Sequence, residues 1–239
     1  IDPGMIVTYR AWVAEVVARY RDSPTIMAWE ILNEPEVKLS KDGACASSAA
    51  TLLNSFTTDI AALIKTTDSN HLVSLGTIGS GQCGSDNANY STLHGNANID
   101  LCSVHDYRQP NDPIAGDQYN GIAKRLEQCR ALNKPIFVGE SGLQFPEVGN
   151  STAVRAQKLT TKMLAEFRAG MVGYVLWNWA DPPRRALTPN DDIHDIGQGD
   201  EVLVALAAAP SSWPNDGGDT DNDDVSNAVD VGAGWDDHA

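Results

Sequence analysis

Between residues 5 and 208, short apolar runs of strand length alternate with longer stretches whose apolar residues recur at helical spacing. No other feature restricts the fold so tightly. Helical periodicity covers 5–20, with Ile6, Tyr9, Val13, Val16, Val17 and Tyr20 on one side, and Asp22-Ser23-Pro24 ends it. A strand is expected from Thr25 to Asn33, a helix from Ser47 to Thr66, and a strand from His71 to Ile78. After a loop holding Asn87, Tyr90 and His94 comes a strand from Ile99 to Tyr107, then a helix from Tyr119 to Leu132 and a strand from Pro135 to Glu140. A helix from Thr152 to Ala169 capped by Ser151, a strand from Gly173 to Trp179 and a helix from Glu201 to Ala208 complete the series. Such alternation with short connections requires a parallel sheet with helical crossovers.

Two architectures fit that pattern. An open doubly wound sheet would place a glycine-rich phosphate turn after an early strand, and no GxGxxG stands at such a position. The expected fold is therefore α/β, a (β/α)8 TIM barrel. A closed barrel has eight strands, so the five strands read here would be its later five βα units.

Two of the strands end in a carboxylate. TIMAWEILNEP runs from Thr25 to Pro35 and stops at Asn33-Glu34-Pro35, and PIFVGESG runs from Pro135 to Gly142 and carries Glu140 near its end. Catalytic groups of a parallel barrel stand at the C-terminal lips of its strands. A pair of glutamates there, with no Lys or Arg adjacent in sequence, is what glycosidic cleavage uses: one protonated acid and one ionised nucleophile or base. Burial and the neighbouring Glu140 charge are expected to keep Glu34 protonated until it is called on. Glu30 shares the Glu34 face by alternation and is expected to be structural and paired, with a partner that could lie on the missing strands.

His105 and Tyr107 stand two apart at a strand end and so share a face, from which Tyr107 could donate a hydrogen bond to Glu140 and His105 could bond a sugar hydroxyl. Trp177 and Trp179 repeat that spacing on the last strand, where an indole plane packs well on the C–H face of a pyranose. Asp181 follows as a weaker candidate.

The formal charge of −15 is uneven, with eight aspartates and no Lys or Arg from Asp216 to Asp237. Phosphate recognition needs a basic face, so nucleic acid is an unsuitable partner and a neutral polymer a better one. Residues 210–239 read as an acidic linker or tail. Within it, DTDNDDVSNAVD places Asp219, Asp221, Asp223, Asn227 and Asp230 at ligand positions of a calcium loop, although Asp224 stands where the turn glycine belongs. A structural calcium there competes with a disordered linker. Cys45, Cys83, Cys102 and Cys129 show no zinc spacing. Their positions suggest Cys45 with Cys83 and Cys102 with Cys129, but four cysteines allow three pairings. Disulfides would place the protein outside the cell. No apolar run is long enough to span a bilayer, no signal peptide is visible, and the chain starting at Ile1 is expected to lack its natural N-terminus.

With WEILNEP, VHDY, FVGESG and LWNW standing in that order, residues 1–209 resemble clan A glycoside hydrolases, and most of all family five, the cellulase and mannanase family. The resemblance implies a retaining enzyme of β-1,4-linked polysaccharides that needs no cofactor, with Glu34 on strand four as acid/base and Glu140 on strand seven as nucleophile. It further implies that Asn33 holds the sugar 2-hydroxyl, that His105 and Tyr107 follow strand six, and that Trp177 on strand eight floors the subsite at the broken bond. Strands one to three of that family have no counterpart here. The expected partner is a β-linked polysaccharide or oligosaccharide, with no nucleic acid and no membrane, and the expected state is a secreted monomer. The competing function is a fragment that binds sugar or calcium without turnover.

Overall fold

The first turn of the chain is closed by the Ser23 amide donating to Tyr20 O at 2.9 Å, where Asp22-Ser23-Pro24 stops helix α1 (Pro3–Tyr20). A computed structural model describes residues 3–41, 43–108, 111–180 and 194–208. The chain divides into two compact units: residues 1–105 with 115–137, and residues 106–114 with 138–239.

In the first unit, β1 (Ala28–Glu30) and β2 (Leu72–Ser74) pair in parallel with Glu30 opposite Ser74, and α2 (Ala49–Thr67) is the crossover between them. Pairing does not stop at the regular strand ends. The amides of Ile31 and Glu34 donate to Ser74 O and Gly76 O at 3.0 and 2.8 Å, so the extended segment reaches Glu34 although only Ala28–Glu30 has regular strand geometry. Ser74 bridges to Leu101 ahead of β3 (Cys102–Asp106), and the Cys102 amide donates to Pro135 O at 2.9 Å. Val13, Val17, Leu53, Ile60, Ile64, Val73, Leu75 and Ile99 form the core beneath these strands. Burying such side chains contributes about 1.5–3 kcal/mol each.

The expected loop before β3 contains a helix, α3 (Asn87–His94). NANYSTLH has only Ala88 and Leu93 as strong helix formers and no apolar periodicity, and tertiary contacts override that local weakness. Tyr90 is fully buried and donates to Ser103 O at 3.0 Å, and Arg125 of α4 (Ile122–Ala131) lies over its ring, 4.4 Å from the centroid. Both expected disulfides are present, Cys45–Cys83 and Cys102–Cys129.

The chain passes into the second unit within β3, after His105, and again within β4 (Ile136–Ser141), after Phe137. In this unit β4 pairs in parallel with β5 (Tyr174–Leu176), with Val138 opposite Tyr174 and Ser141 opposite Leu176. A 3-10 turn (Phe145–Val148) leads into α5 (Thr152–Arg168), whose Ser151 cap accepts from the Val154 amide. Helix α6 (Glu201–Ala208) packs with α5 over Leu143, Phe145, Leu159 and Ile196. The described residues thus hold five strands, each followed by a helix, and the β1–β2 and β4–β5 pairs are parallel. None of their helices is long and apolar enough to cross a membrane. Asp181 and the calcium-loop residues Asp219, Asp221, Asp223, Asn227 and Asp230 lie outside the described residues.

Candidate active site

Glu34 sits just past β1 in left-handed backbone, φ +46°, a region costly for a residue with a Cβ and tolerated where the surroundings fix it. Three bonds do so. Its amide donates to Gly76 O at 2.8 Å, its carbonyl accepts from Gln82 Nε2 at 3.1 Å, and its Oε1 lies 2.8 Å from His105 Nδ1. The His105 side chain is wholly buried, and the Glu34 side chain keeps about a third of its surface in solvent. His105 therefore faces a carboxylate, where the spacing alone had it facing a sugar. Asn33 stands exposed beside Glu34.

Gly76 makes this turn possible. It has φ +79°, and a Cβ there would come within 2.0 Å of Leu32 O. Glu30, whose partner could have lain on other strands, accepts a 3.2 Å hydrogen bond from Ser74 Oγ across the β1–β2 register. Parallel pairing set two polar side chains opposite each other, so one partner of Glu30 lies within this chain.

In the second unit, Tyr107 Oη donates to Glu140 Oε2 at 2.6 Å, a short charge-assisted bond. The Tyr107 ring packs on His194, with centroids 4.8 Å apart and His194 nearly buried. Gly142 permits that approach, because a Cβ there would lie 2.7 Å from His194 Cδ2. Trp177 is carried beside Glu140 by the β4–β5 ladder, its amide donating to Ser141 O at 2.7 Å. Trp177 and Trp179 are 46% and 60% exposed, so neither is consumed by core packing. Trp179 is anchored by a parallel bridge to Ile196. The loop carrying Ile196 is tied down by a fully buried ion pair between Arg155 and Asp200.

Sequence reasoning did not single out Gln82, His194, Ser141 or Lys162. The first two lie in irregular segments without periodicity, and Lys162 reads as a surface position on an amphipathic helix. Glu34 and Glu140 thus each stand near a strand end with a hydrogen-bonding side chain against one carboxyl oxygen, a geometry suited to acid/base and nucleophilic work once a substrate is bound.

The model of the cellulase family, glycosyl hydrolase family 5, matches residues 5–182. The chain belongs to glycosyl hydrolase family 5. Among curated relatives of this family 5 chain, the probable mannan endo-1,4-β-mannosidase F of Neosartorya fischeri is 29% identical over 196 residues, covering 77% of this chain and 39% of its own length. The mannan endo-1,4-β-mannosidase A of Hypocrea jecorina is 30% identical over 202 residues, covering 79% and 42%. This family 5 chain therefore spans about two fifths of the length of the curated relatives it matches. The endo-1,4-β-mannanase structure from Rhizomucor miehei superposes with a TM-score of 0.63 at 21% identity, covering 86% of this chain and 60% of that one. That likeness shows a TIM-barrel-type α/β fold.

Proposed function

We propose that this family 5 chain carries the catalytic carboxylates of a retaining glycoside hydrolase acting on β-1,4-linked polysaccharide, mannan ahead of cellulose. The observation that carries the reading is the matched pair of strand-end glutamates, Glu34 bonded to His105 and Glu140 bonded to Tyr107. The names of the relatives favour mannan.

Glu140 is the nucleophile. It attacks the anomeric carbon while Glu34 passes its proton to the departing glycosidic oxygen, leaving a glycosyl ester on Glu140. Glu34, now a carboxylate, takes a proton from water, whose oxygen attacks the same carbon and frees Glu140, so both groups return to their starting states. The bond from Tyr107 fixes one oxygen of Glu140 and orients the carboxylate for attack. His105 orients Glu34, Asn33 receives the sugar 2-hydroxyl, and Trp177 with Trp179 offers indole faces to the pyranose rings. The chemistry needs no cofactor.

The five strands correspond to strands four to eight of an eightfold barrel, residues 1–209 form the later part of that catalytic domain, and 210–239 are an acidic linker or tail. The protein acts outside the cell as a monomer, where its two disulfides persist.

The test is hydrolysis of soluble β-mannan and β-glucan by the full chain, with the anomer first released read by proton NMR. Release of the β-anomer is expected, with turnover reduced by about 10³ or more in Glu140→Gln and in Glu34→Ala on polymer. Release of the α-anomer, or near-normal turnover in either variant, would overturn the assignment.

A further inference from the structure

Helix α5 buries a charged side chain that the reaction above does not use. Lys162 has no exposed surface, and its ammonium lies 2.8 Å from Asp106 O, 2.9 Å from Arg108 O, 2.8 Å from Asp106 Oδ2 and 3.5 Å from Ser141 Oγ. Burying an ammonium costs several kcal/mol unless its donors are taken up, and here Asp106 O, Arg108 O and, at longer range, Ser141 Oγ accept from it while the Asp106 carboxylate offsets its charge. An apolar side chain of the same length would fill the space but leave the buried Asp106 carboxylate without its nearest cation. The choice of lysine therefore calls for a reason beyond packing.

What the ammonium grips supplies the reason. Asp106 and Arg108 flank Tyr107, and Ser141 follows Glu140, so one cation bonds the backbone on both sides of Tyr107 and reaches the side-chain hydroxyl next to Glu140. Ser141 closes the circuit. Its hydroxyl donates to Asp106 O at 2.7 Å and accepts from Tyr174 Oη at 2.5 Å, on the strand paired with β4. Each of these groups belongs to the second unit.

We infer that Lys162 is a positioning residue for the nucleophile, an internal cation that sets the Tyr107 hydroxyl against the Glu140 carboxylate by holding the backbone on either side of Tyr107 and the Ser141 hydroxyl next to Glu140. This rests on the reading of Glu140 as nucleophile. Lys162 touches neither substrate nor reacting atom, so its loss should slow attack without weakening sugar binding.

The experiment uses the full chain and an activated 2-deoxy-2-fluoro-β-mannoside, whose aryloxide departs as Glu140 is esterified. The limiting rate and half-saturating concentration are measured, the modified residue is identified by mass spectrometry, and amide exchange is followed across 106–108 and 140–142. In Lys162→Met the limiting rate should fall about 10- to 100-fold, the half-saturating concentration stay within about twofold, and exchange quicken only in those two segments. If Lys162→Met does not fold, Ser141→Ala decides by the same readouts, with a fall of about threefold to tenfold expected. A wild-type limiting rate in the folded variant overturns the inference. So does a loss shared equally by rate, binding and exchange throughout the unit, which is the mark of a merely structural lysine. If the unaltered protein is not esterified at Glu140, the proposed nucleophile falls instead. The clamp is then judged by exchange alone, and unchanged exchange in Lys162→Met overturns it.

Discussion

His105 and Glu34 are 71 residues apart in sequence and 2.8 Å apart through Nδ1 and Oε1, the imidazole wholly buried and the carboxylate one-third exposed. The carboxylate that hydrolysis would use as acid is thereby held from behind by a ring that solvent does not reach. Tyr107, two residues after His105 and itself partly exposed, donates to Glu140. One strand end thus supplies a supporting group to each carboxylate.

The Tyr107 hydroxyl is expected to matter for rate and little for binding. A hydrogen bond to a charged group contributes about 1.5–3 kcal/mol, so Tyr107→Phe should lower kcat on β-mannan about 10- to 100-fold with KM within about threefold. Steady-state kinetics checks this. A variant keeping more than half the wild-type kcat would show the bond to be incidental.

Gly76 should not tolerate a side chain. Its φ of +79° is unfavourable for an L residue, and a Cβ would meet Leu32 O at 2.0 Å, against the backbone leading into Glu34. Gly76→Ala is expected to destabilise the protein by about 2–4 kcal/mol in urea unfolding. A loss below about 0.5 kcal/mol would mean that this turn relaxes freely.

Asp68 and His71 form a buried pair whose contribution depends on pH. His71 Nε2 lies 2.9 Å from Ser23 O and Nδ1 lies 2.6 Å from Asp68 Oδ2, so an acceptor faces each nitrogen and the imidazolium is favoured. The hydrogen bond to Asp68 raises the His71 pKa against the opposing effect of burial. Burial alone would raise Asp68, but hydrogen bonds from Trp29, His71 and the Asn70 and His71 amides bring it down to about 2. A raised histidine contributes below its unfolded value and loses that contribution as pH rises through the folded value. A depressed aspartate contributes above its unfolded value and loses it as pH falls toward about 2. The stability difference between wild type and Asp68→Asn should therefore peak between about pH 4 and 6.5, at about 3 kcal/mol, and shrink on both sides. Urea unfolding at three pH values reads it, and a flat difference would refute the coupling.

Glu166 is placed in the opposite sense. Burial, and after it the Asp106 carboxylate, push its pKa up to about 9, so the folded protein holds it as a neutral acid. Its contribution is complete below the unfolded value of 4.5 and declines as pH rises from there to about 9. Glu166→Gln keeps the neutral shape and removes the decline. It should melt about 3–6 °C above wild type at pH 8 and show no such gain at pH 4. Equal melting temperatures at pH 8 would indicate an ionised Glu166.

Much of this was legible in the chain. Alternating periodicities located all five strands, because strands of a parallel sheet leave mostly apolar runs while their crossover helices keep one apolar stripe. Strand ends were overdrawn, as at Thr25–Asn33, since apolar residues continue past the point where the ladder loses regular geometry. Helix α3 was missed because its stability comes from Tyr90 and Arg125, contacts that no local propensity reports. Lys162 was missed for a related reason: a lysine at a helical position reads as solvated, and only the surrounding carbonyls show it to be a buried clamp.

The order of apolar runs and helical stripes determined the α/β class, and short motifs at the strand ends named Glu34, Glu140, His105 and Tyr107 as residues to examine. Those properties are local, set by side-chain period and by chain punctuation. Which donor meets which carboxylate, that Glu30 pairs with Ser74 across the strand register, and that a buried cation braces Tyr107 and Glu140 were decided only by tertiary structure. Each joins segments from tens of residues apart, and a hydrogen bond depends on distances that packing of the whole unit sets.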